Sequence, residues 1–205
     1  LTTIPNLVAN AVDNFHNREA VVDGDLRWTF EEYADQINGA TKAFISKGIQ
    51  PGDRIAVWAP NTARWPVAAL GAHCAGAVLV PINTRFKGEE AGYILSRTSA
   101  KILFTVTDFL DTNYVDLLGD SINQLDLEEI VVLKGSTPSN CTNWEDFINS
   151  GVSISELERD ARSKQVADND LCHILFTSGT TGKPKGIVHS HLSIQNTTYL
   201  LFIQY

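Results

Sequence analysis

Apolar residues recur at helical spacing through Ile4, Leu7, Val8, Ala11, Val12 and Phe15. This predicts an opening helix, with Pro5 tolerated in its first turn. Ala20 to Asp23 and Leu26 to Thr29 are short strand patterns around Gly24 and Asp25, the signature of a hairpin. Thr29 and Glu32 then have capping-box spacing, and Phe30, Tyr33, Ala34, Ile37, Thr41, Phe44 and Ile45 trace one face of a helix ending at Gly48.

After the turn Pro51-Gly52-Asp53, strand and helix patterns alternate. Arg54 to Ala59 reads as a strand, Arg64 to Ala75 as a helix closed by Gly76, and Val78 to Ile82 as the next strand. Lys87 to Arg97 follows as helix, Lys101 to Thr105 as strand, Phe109 to Leu118 as helix and Glu129 to Leu133 as strand. Near-continuous apolar strands separated by helices are βαβ units of a parallel sheet buried on both faces. The fold class is therefore α/β, layered sheets with flanking helices.

The pattern weakens from Lys134 to Asp170. Gly135 to Thr142 reads as a loop, Trp144 to Ile148 as a short helix, and Ser155 to Ser163 as a helix whose charges form a solvated face. Leu171 to Phe176 returns as strand, Ile187 to Ser190 as another, and Leu192 opens a final helix.

Composition narrows the function. With 43% hydrophobic and 20% charged residues the chain is globular rather than disordered. A formal net charge of −8 argues against a nucleic-acid or anionic-membrane surface, which needs a basic face, so any phosphate binding must be local. No apolar run approaches the ~20 residues of a membrane span. The N-terminus LTTIPNLVANAV lacks the pattern of a signal peptide, so a cytoplasmic location is expected. Cys74, Cys141 and Cys172 fit no metal or redox spacing and read as free thiols. His189 and His191 fall on one side of an extended segment, but no further ligand accompanies them, so packing or backbone contacts are expected instead of a metal. His16, His73 and His173 carry no pattern of their own. The chain starts at Leu1, lacks methionine, and stops in the uncapped apolar run TYLLFIQY, so it reads as a fragment.

The chemistry concentrates in ILFTSGTTGKPKGIVHSH, from Ile174 to His191. An apolar strand stops at Thr177, and Thr177, Ser178, Thr180 and Thr181 supply hydroxyls. Gly179, Gly182 and Gly186 permit close backbone approach, while Lys183 and Lys185 flank Pro184. Hydroxyls, bare amides and two cations suit a polyphosphate. A polar hairpin loop uses the same residue types, so residue order has to decide. The ATPase loop G-x-x-x-x-G-K-[ST] fails, because Thr177 and Pro184 stand where glycine and Ser/Thr are required.

The segment TSGTTGKPKG, Thr177 to Gly186, resembles at every position the signature of the adenylate-forming (AMP-binding) superfamily of acyl-CoA synthetases, luciferases and peptide-synthetase adenylation domains. The stretches Gly48 to Phe86 and Leu26 to Tyr33 also look like the early part of an acyl-CoA synthetase, with Asn83-Thr84-Arg85 leaning toward that branch. The resemblance implies an AMP-forming carboxylate–CoA ligase that uses Mg2+, ATP and CoA on a fatty or other hydrophobic acid. Thr177, Ser178, Gly179, Thr180, Thr181, Gly182, Lys183 and Lys185 would hold the β- and γ-phosphates. It further implies that residues 1–205 are the N-terminal portion of the adenylation domain. The adenine contacts, the acidic metal ligand, much of the acyl pocket and a catalytic lysine would lie outside them, leaving the fragment inactive. A peptide-synthetase or luciferase-like adenylation domain and a non-catalytic nucleotide-binding domain are the alternatives.

Overall fold

The computed structural model describes residues 3–177 and 184–203, with side chains to residue 198. Helix α1 (Ile4–Phe15) is followed by the antiparallel hairpin β1 (Glu19–Asp23) and β2 (Leu26–Thr29), as the turn residues predict. Thr29 caps helix α2 (Phe30–Ser46): its hydroxyl accepts from the Glu32 N–H, and the Glu32 carboxylate accepts from the Thr29 N–H at 2.8 Å.

The main sheet contains β3 (Arg54–Trp58), β4 (Val78–Pro81), β5 (Ile102–Val106), β6 (Glu129–Lys134), β7 (Thr142–Asn143), β8 (Leu171–Thr177) and β9 (Lys185–Ser190). Their spatial order is β7-β6-β5-β3-β4-β8-β9, parallel throughout except that β9 runs antiparallel to β8. Every residue of β5 is buried, so both sheet faces are covered, as an all-apolar parallel strand requires. Helices α2, α3 (Arg64–Cys74), α6 (Trp144–Ser150) and α7 (Glu156–Lys164) form one contacting group with α1. Helices α4 (Gly88–Thr98) and α5 (Tyr114–Leu118) form another, joined by a 3-10 turn at Gly119–Gln124.

A cluster of aromatic rings joins α2, β5 and α6. Phe44, Phe104 and Phe147 meet edge to face, with centroids 5.0 to 5.6 Å apart, and all three are fully buried. Helices α2 and α3 approach so closely that a Cβ on Gly71 would lie 2.6 Å from the Ala40 Cβ, so only glycine fits there. In contrast α7 buries no residue. It is held by polar contacts, Arg162 donating to the Ile49 carbonyl at 2.7 Å and Ser163 to the Cys74 carbonyl at 2.9 Å.

Two expectations need correction. The helix expected from Phe109 starts only at Tyr114, because Leu110 and Asp111 adopt φ of 53° and 56° and Asn113 caps the helix by accepting from the Val115 and Asp116 N–H groups. Leu110, which the helical pattern would have buried, is 79% exposed. The expected loop Gly135 to Thr142 holds over residues 135–141 and ends one residue early, because Thr142 begins β7, whose pairing with Val131 and Val132 extends the sheet edge.

Candidate functional site: the β8–β9 hairpin and its histidines

Strands β8 and β9 form an antiparallel hairpin whose register runs from Leu171 opposite Ser190 to Thr177 opposite Lys185. The expected second strand therefore begins two residues earlier than its apolar pattern, at Lys185. Ile174 and Phe176 pack against the main core and anchor the hairpin to the body of the domain. Gly186 faces Phe176 so closely that a Cβ there would lie 3.1 Å from both the Phe176 ring and the Ile174 side chain. This glycine is explained by packing as well as by any ligand.

Of the candidate phosphate-binding residues, Thr177 and Lys185 are described. They form the last register pair, directly opposite one another and both exposed at the point where the two strands part. Opposed residues of an antiparallel pair project to the same sheet face, so the hydroxyl and the ammonium share one side. Ser178, Gly179, Thr180, Thr181, Gly182 and Lys183 lie outside the described residues. A donor hydroxyl and a cation at the hairpin's open end fit an anionic oxygen ligand. Neither is engaged in any ion pair recorded among the described residues.

Behind the hairpin lies a cluster that the sequence does not announce. His173 on β8 and His73 on α3 bring their Nε2 atoms to 3.0 Å, across 100 residues of chain. The His191 ring, at the start of α8 (His191–Ile203), stands edge-on to His73 at 5.7 Å between centroids, and its Nδ1 accepts from the Ile4 N–H at 3.3 Å. His189 is the register partner of His173 across the hairpin. His191 thus makes a backbone contact, as expected for it, whereas His73 and His173 are far from isolated. Among the described residues, no group of three or more His, Cys, Asp or Glu has metal-binding geometry.

Burial sets the protonation of this cluster. His73 is 1% exposed, and burial, reinforced by His173 and His191, holds its pKa well below the ordinary histidine value. Its Nδ1 has no hydrogen-bond partner among the described residues. The Ala77 backbone acts weakly on the ring in the opposite direction, outside hydrogen-bond geometry. His173 is pushed down to about 4, first by burial and then by His189 and His191. His191 is also lowered by burial, with Asp170 opposing. The neighbouring thiols of Cys74 and Cys172 are raised to about 12, mainly by burial, so neither is a thiolate at neutral pH. His73 and His173 also border an open apolar pocket of about 430 Å3 lined mainly by α1, α2 and α3.

The architecture and the hairpin define the class. The AMP-binding enzyme family profile matches residues 8–205, and the chain belongs to that family. Among curated relatives, it is 39% identical over 194 residues to a Rhodococcus jostii CoA ligase named for a methyl-dioxo-octahydro-indenyl propanoyl group. The match covers 93% of this chain and 38% of the relative. It is 26% identical over 211 residues to a putative acyl-CoA synthetase, YngI, of Bacillus subtilis, covering 95% of this chain and 38% of that protein. The crystal structure of the anthranilate CoA ligase AuaEII with anthranoyl-AMP superposes with a TM-score of 0.79 at 25% identity, covering 93% of this chain and 35% of that one. A long-chain-fatty-acid–CoA ligase from Archaeoglobus fulgidus, at a TM-score of 0.80 and 19% identity over 98% of this chain and 38% of that one, shares the fold. The chain thus spans well under half the length of these relatives.

Proposed function

We propose that this chain is the N-terminal portion of the adenylation domain of an AMP-forming carboxylate–CoA ligase, and that its β8–β9 hairpin grips the β- and γ-phosphates of ATP. The observation that carries the reading is the Thr177–Lys185 pair at the open end of the hairpin, subtending the sequence TSGTTGKPKG. Attack of a carboxylate on the α-phosphorus breaks the bond to the β-phosphate and leaves negative charge on the departing pyrophosphate. The Lys185 ammonium, the Thr177 hydroxyl, and the donors of Ser178, Gly179, Thr180, Thr181, Gly182 and Lys183 stabilise that charge as it develops. Mg2+ accompanies ATP, and CoA thiol attack on the acyl-adenylate then releases AMP. The acidic metal ligand and the remaining catalytic groups belong to parts of the enzyme beyond these residues, so chain 1–205 alone is inactive.

The Rhodococcus jostii relative is named for a propanoyl chain on an alicyclic ring system, which supports a hydrophobic carboxylic acid as the substrate class. The cytoplasm, which supplies both ATP and CoA, is the compartment we propose for the reaction. Acid-dependent exchange of labelled pyrophosphate into ATP by the full-length enzyme, with thioester formation when CoA is added, is the expected result. Exchange without transfer to CoA would assign a different acceptor, as in a peptide-synthetase domain. No exchange with any acid of an aliphatic, aromatic and alicyclic panel would reject the reading.

A further inference from the structure

The hairpin meets the parallel sheet along β4. The described β4–β8 ladder has one register pair, Leu79 with His173, whereas β3 pairs with β4 and with β5 at four positions each. The same residue that makes this backbone pairing also makes the side-chain link, His173 Nε2 to His73 Nε2 at 3.0 Å. Both rings are kept from protonation by burial, so one nitrogen donates and the other accepts. Below them, the His191 N–H donates to the Asp170 carbonyl at 3.1 Å, and His191 Nδ1 receives the Ile4 N–H, tying both ends of the hairpin and the first helix to one spot.

We propose that His73 is a positioning residue: through His173 it fixes the β8–β9 hairpin against α3, and so sets where Thr177 and Lys185 stand. The inference rests on the proposed role of the hairpin in ATP binding. The imidazole pair stands away from the open end of the hairpin, and among the described residues it assembles no metal-binding group. A hydrogen bond between two buried neutral rings is costly to arrange and directional, which makes it suited to fixing a position rather than to adding stability. Removing it frees the strand to shift relative to β4 while the apolar anchors Ile174 and Phe176 keep the hairpin docked.

The test uses the full-length enzyme with His73→Leu, His73→Gln, His173→Phe and the double variant His73→Leu/His173→Phe. The adjoining pocket gives the substituted side chains space, and near-ultraviolet dichroism reports whether each variant folds. The expected result is a rise of about fivefold in the KM for ATP for His73→Leu, with the KM for the acid unchanged, about the effect of one lost hydrogen bond. His73→Gln, whose amide reaches the place of Nε2, should recover most of that loss, and the double variant should be no worse than either single one. Hydrogen exchange supplies a readout independent of turnover: amides of residues 185–190 should exchange faster in His73→Leu while those of β3 and β5 do not change. Equal exchange throughout, or equal effects on both KM values, would overturn the positioning role. An enzyme without ATP–pyrophosphate exchange would reject the proposed function alone, because the exchange pattern of the hairpin still decides the clasp. Should His73→Leu fail to fold, His73→Gln against His173→Phe makes the same comparison.

Discussion

The centre of the sheet and its hairpin edge are built on opposite terms. Strands β3 and β5 pair along their lengths and carry Ile55, Ala56, Val57, Trp58, Leu103 and Phe104 at complete burial. The β8–β9 hairpin joins the sheet through one described β4–β8 register pair, and Ile187 and Val188 of β9 are about half exposed. In the first region burial of apolar area fixes position non-directionally; in the second, the apolar anchors Ile174 and Phe176 are supplemented by directional polar contacts among the histidines. Stability is thus concentrated away from the residues proposed to meet the ligand, which sit where modest local rearrangement costs least.

The most damaging change to this division is expected in the core. Phe104→Ala removes the ring shared by Phe44, Phe147 and Trp144 and should lower stability by about 3–5 kcal/mol, measured by urea unfolding of the full-length protein. A loss below about 1 kcal/mol would mean the site repacks and the two regions are less distinct than their burial implies. At the other pole, Lys185→Ala should leave the urea midpoint nearly unchanged, because its side chain is exposed. It should cost about 1.5–3 kcal/mol in kcat/KM for ATP through loss of a charged hydrogen-bonding partner. Unaltered ATP kinetics would remove Lys185 from the site.

The smallest effect near neutrality is acid sensitivity. His73, His173 and His191 are held neutral by burial, so the unfolded chain binds protons more readily than the native one as pH drops below about 6.5. Their contribution to stability is complete above that pH and is lost as pH falls, at up to about 1.4 kcal/mol per pH unit for each histidine. For His173 the loss levels off near its folded value of about 4, and Asp170 softens the effect at His191. Urea midpoints between pH 7.5 and 5 check this. The slope should shrink in His73→Leu, and an unchanged slope would place the acid sensitivity in other groups.

Much of the parallel sheet was legible because β3, β5 and β6 are short unbroken apolar runs, and because Thr29 and Glu32 write a cap in local spacing. The family signature TSGTTGKPKG was legible for the same reason: it is contiguous. What escaped is non-local or carried by backbone dihedrals. The His73–His173 contact joins residues 100 positions apart, and no periodicity encodes it. Phe109 and Leu110 continue an apolar rhythm, yet positive φ at Leu110 and Asp111 breaks the helix before Asn113 can start it. Strand β7 is two residues long and exists only through its neighbour β6, so no alternation could reveal it.

The antiparallel register of the hairpin has a consequence for how this region can vary among gene copies. Added or deleted residues within 178–184 would leave every pair from Leu171–Ser190 to Thr177–Lys185 in step, and only the span of the loop would change. One residue inserted within Lys185–Ser190 would turn the strand's side chains over: Lys185 would leave the face it shares with Thr177, and a bulkier residue would crowd Phe176 where Gly186 now stands. For folding alone, length change within 178–184 should therefore be tolerated and insertion in the strand rejected, a contrast that insertion scanning read out by folded-protein abundance can show, while ATP use should suffer in both.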